Sequence, residues 1–175
     1  MNKKYGITGL ILIVILATVM IIGYIVIDNT TNDKFTNAVT FEGITFYLPD
    51  GFKSVEKSNE PSVVYQLYSD TDGHDHSHDD HNNHSHDEGQ DNVIGLFYYP
   101  LVSKSKVLSN MKLDSEYTNI SESASYGGYS GYSAEFKSSH GEKTEIFLFE
   151  KDGKTLIITL SSGFNLSEYI PKIIG

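Results

Sequence analysis

The sequence predicts an α+β protein in which an N-terminal transmembrane helix is followed by an antiparallel β-sheet domain with one or two packed helices. Residues 7–27 contain no charged side chain. From Val39 onward, short runs rich in β-branched and aromatic residues alternate with turn sequences, which is typical of antiparallel strands. Only two later segments place apolar residues at helical spacing. The 175-residue chain is therefore long enough for one anchor and one domain with a core.

The apolar segment predicts a location at the cell membrane. As a helix, residues 7–27 would span about 31 Å, which matches the hydrocarbon core of a bilayer. Lys3 and Lys4 precede the segment and Asp28 follows it, so the positive-inside rule predicts a single pass with a cytoplasmic N-terminus and an extracytoplasmic C-terminal domain. A secretory signal peptide is the alternative, but its apolar region is shorter and ends at a small-residue cleavage site.

Three regions follow from this interpretation: a transmembrane anchor over 1–28, a stalk over 29–38 and an external α+β domain over 39–175. The strands predicted in the domain are 39–41, 44–48, 62–68, 93–99, 117–125, 129–138, 142–150 and 155–160. Gly127-Gly128 and Asp152-Gly153 predict tight hairpin turns. A helix is expected over 103–112, and a second one near the C-terminus, where Pro171 is expected to kink it or to limit it to about a turn and a half.

The strand order and three motifs resemble a known family. The motifs are Phe41-Glu-Gly-Ile-Thr-Phe-Tyr-Leu-Pro-Asp-Gly-Phe52, Tyr126-Gly-Gly-Tyr-Ser-Gly-Tyr132 and Glu150-Lys-Asp-Gly-Lys154. Over about residues 39–174 the chain resembles the small PsbP/Mog1-like domains, as in membrane-anchored proteins of methanogenic archaea. The resemblance implies an antiparallel sheet with helices packed on it and a role in binding or assembly.

Residues 70–91 form a His/Asp-rich run that lies outside the shared pattern. Six of the seven histidines are in it, and no basic residue occurs between Lys57 and Lys104. The sequence His76-Ser-His-Asp79 recurs as His84-Ser-His-Asp87. In an extended chain residues i and i+2 point to the same side, so each copy presents two imidazoles together. The candidate metal ligands are His74, His76, His78, His81, His84, His86, Asp79 and Asp87.

These ligand types suit transition-metal ions. Imidazole with carboxylate favours Zn²⁺, Ni²⁺, Cu²⁺ or Co²⁺, whereas Mg²⁺ and Ca²⁺ prefer sites made only of oxygen. The chain has no cysteine, so no thiolate site is available. Because the run is strongly polar, we expect it to be a disordered loop without a ligand. A loop of that kind lacks the fixed second shell of a catalytic centre, and we expect Zn²⁺ or Ni²⁺ in a non-catalytic role.

Charge makes nucleic acid an unexpected partner. The formal net charge is −10, but eight of the 23 acidic residues lie in the run, and the other 15 nearly balance the 13 basic residues. All 13 are lysine, and they form no basic patch in the sequence, as a nucleic-acid interface would require.

Two functions remain, and neither is enzymatic. Gly128-Tyr-Ser-Gly-Tyr132 lacks the last glycine of a nucleophile elbow, and His140 is interpreted as a turn residue. The first hypothesis is a membrane-anchored extracytoplasmic protein whose run binds transition-metal ions for capture, buffering or sensing. The second is an interaction or assembly module with a membrane or cell-surface protein partner. In the second, the run is only a spacer and recognition lies on the tyrosine-rich sheet.

Overall fold

The computed structural model describes residues 34–70, 92–138 and 141–175. This part of the chain contains nine strands and two helices. In chain order they are β1 (Asn37–Phe41), β2 (Ile44–Leu48), β3 (Lys53–Glu60), β4 (Val63–Ser69), β5 (Val93–Tyr98), α1 (Lys104–Met111), β6 (Tyr117–Tyr126), β7 (Tyr129–Lys137), β8 (Lys143–Lys151), β9 (Lys154–Ser161) and α2 (Leu166–Ile174).

Seven of these strands form one antiparallel sheet, and β1 and β2 form a separate hairpin. The order across the large sheet is β3-β4-β5-β9-β8-β7-β6. Strand β9 is inserted between β5 and β8 and pairs with both. The two edges of the sheet are therefore β3 and β6.

Both faces of the large sheet are covered. On β8, Phe147 and Phe149 belong to the core under α2 and the β1–β2 hairpin, whereas Ile146 and Leu148 belong to the core under α1. All four side chains are almost fully buried. A continuous apolar run of this kind is what a strand needs when both of its faces are packed.

Three two-residue turns close the hairpins β1–β2, β6–β7 and β8–β9. Both central residues of each turn have positive φ, for example 52° at Asp152 and 74° at Gly153. This geometry matches the right-handed twist of the strands that the turn connects. The hairpin turns predicted at Gly127-Gly128 and Asp152-Gly153 are confirmed.

The predicted fold class requires correction. The structure is mostly antiparallel β-sheet with two short helices, whereas the prediction began with a transmembrane helix. Neither helix in the described ranges 34–70, 92–138 and 141–175 is long and apolar enough to cross a membrane. A helical span needs about 20 mostly apolar residues, whereas α1 has eight and α2 has nine. The anchor predicted over 1–28 and residues 29–33 of the predicted stalk lie outside the described residues.

Candidate functional site

The two ends of the His/Asp run meet at one end of the large sheet. Ser69, the last residue of β4, is directly opposite Val93, the first residue of β5. One residue further out, the Nδ2 atom of Asn92 donates a hydrogen bond of 3.1 Å to Oδ2 of Asp70. Residues 71–91 thus connect two neighbouring antiparallel strands. They lie outside the described residues, and so do all the predicted ligands: His74, His76, His78, His81, His84, His86, Asp79 and Asp87.

A third strand fixes the base of the run. The backbone N–H of Val93 donates to Oγ of Ser161, the last residue of β9, over 2.8 Å. Ile94 is opposite Leu160 in the same strand pair, and both side chains are fully buried. The attachment points of the run therefore belong to a well-packed part of the sheet.

The β7–β8 turn leaves the same end of the sheet. The N–H of Ser138 donates to the carbonyl of Glu142, and the N–H of Gly141 donates to the carbonyl of Ser138, each over 2.9 Å. At this end Thr144 in β8 is opposite Ser161 in β9. With strands about 4.8 Å apart, β8 lies roughly 10 Å from β5. Ser139 and His140 lie outside the described residues, whereas Ser138 and Gly141 belong to this turn.

The first described residues of the chain also lie near this end. The carbonyl of Lys34 accepts a 2.8 Å hydrogen bond from the N–H of Asp50, and Nδ2 of Asn37 donates to the carbonyl of Phe52 over 2.7 Å. Phe52 is followed by Lys53, which is opposite Ser69 in the β3–β4 pair. The described chain thus begins close to the point where the run leaves the sheet.

Two acidic side chains near this end already have partners. Glu135 and Lys143 form an ion pair of 2.9 Å, and hydrogen bonds from Lys143 and Asn119 lower the pKa of Glu135. Glu145 accepts the N–H of Leu166 at the start of α2 over 2.9 Å. Within the ranges that the structure describes, no three histidine, aspartate or glutamate side chains are grouped as a metal site. The ligands of a metal would have to come chiefly from the run.

The tyrosines do not form a single surface for recognition. The ring of Tyr126 contacts Phe147 edge-on at 5.0 Å between centroids, and Tyr129 contacts Phe149 at 5.8 Å. These contacts belong to the core under α2, whereas Tyr99 and Tyr132 belong to the core under α1. The sheet separates the two groups, so they act as packing residues of two layers.

No family model matches the chain, and no curated protein matches it. The resemblance to PsbP/Mog1-like domains therefore stays a prediction.

Proposed function

We propose that this protein binds transition-metal ions, Zn²⁺ or Ni²⁺, through the His/Asp run at residues 70–91, and that it does so outside the cell membrane. The observation that carries the proposal is the pairing of Ser69 with Val93, together with the Asn92–Asp70 hydrogen bond. Both ends of a histidine-rich segment are thereby held beside each other on packed strands. Capture, buffering or sensing of ions is the role that this arrangement supports.

Fixed ends favour binding for an entropic reason. Bringing together the ends of a free 22-residue peptide costs conformational entropy. In the folded domain the strand pairing already holds the two ends together, so metal binding does not have to offset that loss of entropy. Ordering the ligand residues still opposes binding. We therefore propose a modest affinity, with His76, His78, His84 and His86 as the principal ligands and Asp79 or Asp87 assisting them.

The membrane location is supported by sequence and by the point at which the chain enters the domain. The uncharged residues 7–27 with Lys3 and Lys4 before them favour a membrane position with the domain outside. The backbone carbonyl of Lys34 accepts a hydrogen bond from the N–H of Asp50, near the end of the sheet from which the run leaves. In this proposal, the metal-binding run occupies the membrane-proximal end of the domain.

Calorimetric titration of the full chain in detergent with Zn²⁺ and Ni²⁺ tests the proposal. We expect binding at pH 7.5 that weakens towards pH 5.5, because metals bind neutral imidazole and an imidazole ordinarily titrates near pH 6.5, about the middle of that interval. The variant with His76, His78, His84 and His86 changed to serine should lose binding. The matched control changes Ser77 and Ser85, which lie between the same histidines, to alanine and should bind as the parent does.

Equal binding by the parent and the four-histidine variant would contradict the proposal, as would no binding by the parent at neutral pH. Deleting residues 73–89 then distinguishes the second hypothesis. If that deletion leaves capture of a membrane protein partner unchanged while the parent binds no metal, the chain is an interaction module and the run is a spacer.

A further inference from the structure

The buried layer between α1 and the sheet contains polar atoms without hydrogen-bond partners. Among the described residues, the buried side-chain atoms that lack a partner are the hydroxyls of Tyr99 and Tyr117 and Nδ2 of Asn110. Each of these residues is 5% exposed or less. Most buried polar groups in folded proteins are hydrogen-bonded, so a group of three in one layer requires an explanation.

The three groups belong to the same side of the sheet. Tyr99 and Tyr117 are members of the core that includes Val107, Leu108 and Met111 of α1, and Asn110 is on the buried side of that helix. Burial raises the pKa of Tyr99 well above its usual value, and the charge of Tyr117 raises it further, which places the two hydroxyls within electrostatic range of each other. The unpaired groups therefore make the packing of α1 against the sheet less favourable.

The ends of α1 are weakly capped. The N-cap residue, Ser103, makes no side-chain hydrogen bond to a backbone N–H of the helix, although its Oγ lies 3.1 Å from Oγ of Ser105. The first turn contains no acidic residue and the last turn no basic one.

Two ion pairs, Lys104 with Glu150 and Lys112 with Glu122, connect the two ends to the sheet, but exposed pairs of this kind contribute little to stability. Leu101 and Leu113, on either side of the helix, are 77% and 87% exposed. Neither leucine thus anchors the segment to the core.

Helix α2 has the side-chain cap and the favourable charges in its terminal turns that α1 lacks. Asn165 caps it by accepting the N–H of Ser167 over 2.8 Å. Glu168 lies in the first turn and Lys172 in the last, where each interacts favourably with the helix dipole, and the two side chains form a 3.1 Å ion pair. The two helices are nearly equal in length, so α2 is an internal reference for α1.

We propose that α1 is a movable cover: it detaches from the sheet while the strands and α2 stay folded, and detachment gives Tyr99, Asn110 and Tyr117 access to hydrogen-bonding partners. Burial of Val107, Leu108 and Met111 opposes opening. The closed state, however, leaves three buried polar groups unpaired, which is costly, and the exposed ion pairs at the helix ends contribute little to holding it closed. Opening is therefore a property of the fold itself and does not depend on metal binding.

Native-state hydrogen exchange on the full chain tests the proposal. We expect the backbone amides of residues 108–112 to exchange on the order of tenfold faster or more than those of residues 172–174, and their rates should rise less steeply with denaturant concentration. A weaker denaturant dependence identifies an opening that exposes the layer under α1 but not the whole core. If the two sets exchange at the same rate, with the same denaturant dependence, then α1 opens only on global unfolding and the proposal is overturned.

Three variants connect the opening to the unpaired groups. Tyr99→Phe, Tyr117→Phe and Asn110→Leu each remove one such group, and each should slow exchange in α1 by up to roughly tenfold without altering α2. Ser109→Leu is the control, because it gives a comparable gain in helix propensity at an exposed position. Suppose that Ser109→Leu slows amide exchange in α1 as much as Asn110→Leu does, and that the two phenylalanine variants leave the exchange rates unchanged. The unpaired groups are then not the cause of the opening. The tyrosine variants retain their rings, so they test the proposal even if Asn110→Leu does not fold.

Discussion

Gly95 occupies a position where three strands leave no space for a side chain. A Cβ atom there would lie 2.4 Å from Oγ1 of Thr159 and 2.7 Å from a ring carbon of Phe97. Thr159 is in β9, directly opposite Gly95, and both neighbouring side chains are buried, so they must shift within a packed core to make room for a Cβ atom.

We expect Gly95→Ala to lower the free energy of unfolding by about 1–3 kcal/mol, because an overpacked core must shift its neighbours. Denaturant unfolding of the full chain measures the change. Ser130→Ala, at an exposed strand position, is the control and should stay within about 0.5 kcal/mol of the parent. An unchanged midpoint for Gly95→Ala would show that the strands adjust freely.

The buried tyrosines predict a loss of stability at alkaline pH. Burial raises the pKa of Tyr68 to about 12 and the pKa values of Tyr99 and Tyr117 well above the usual value near 10. As pH rises above about 10, the unfolded chain releases these protons first. The stabilisation is thus complete below pH 10 and declines as pH rises towards 12.

Denaturation at pH 8 and pH 11 measures this decline. A variant combining Tyr99→Phe and Tyr117→Phe should lose less stability between the two values than the parent, because it lacks two of the titrating groups. Tyr47→Phe, at a position that is 38% exposed, should behave as the parent. Identical declines in all three proteins would mean that other groups, such as the lysines, cause the alkaline loss.

The sequence predicts the aromatic content of the core but does not assign each tyrosine to a layer. Neighbours such as Tyr98 and Tyr99 must point to opposite faces of a strand. For Tyr126 the alternation gives no answer, since β6 is irregular between Thr118 and Ala124. The observed contacts assign the rings of Tyr126 and Tyr129 to Phe147 and Phe149.

At the scale of elements, β3 is the strand that the sequence did not predict. Lys53–Glu60 is polar and largely exposed, so it shows no apolar alternation, and its register shifts at Val55. Charged side chains and a bulge are typical of an edge strand that is protected from pairing with other chains. The segment is a strand because it pairs with β4, and the local sequence pattern does not indicate this pairing.

The second helix is longer than the sequence predicted. Pro171 lies inside α2, which nevertheless runs for nine residues rather than the expected turn and a half. Ile170, Ile173 and Ile174 are buried on both sides of the proline. We attribute the continuation to that burial, which offsets the missing backbone hydrogen bond.

The candidate metal site was predictable in composition but not in surroundings. The spacing of the histidines identifies the run, and the strand-like sequences before and after it predict that it lies between two strands. The base of the run and the positions Ser138 and Gly141 lie at the same end of the sheet because β9 is inserted between β5 and β8, an order that the sequence does not specify.

The pinned ends of the run predict that it can be shortened. Replacing residues 71–91 by a short Gly/Asn turn should leave the domain folded and as stable as the parent, or more stable by up to about 1.5 kcal/mol, since each halving of loop length recovers about 0.6 kcal/mol. Thermal and denaturant unfolding measure the result. A matched variant replaces the run by a Gly/Ser segment of equal length. Unfolding of the shortened protein alone would show that the run contributes packing to the domain.

At the scale of the whole molecule, the predicted location can be tested because the chain has no cysteine. We expect Ser130→Cys, an exposed position, to react with a membrane-impermeant maleimide on intact cells. Asn2→Cys should react only after the cells are permeabilised. The reverse pattern would contradict an extracytoplasmic domain.

The order in which the chain is synthesised limits when this fold can be completed. Phe35 packs against Tyr169 at 5.4 Å and Phe52 against Phe164 at 6.0 Å, so the β1–β2 hairpin depends on residues that are synthesised much later. The ribosome releases this hairpin before α2 has been synthesised. The nascent chain therefore holds Phe41, Phe46 and Leu48 without their final cover until α2 emerges. A premature stop before Leu166 would leave that apolar surface open to proteases and chaperones, even though every strand had been made.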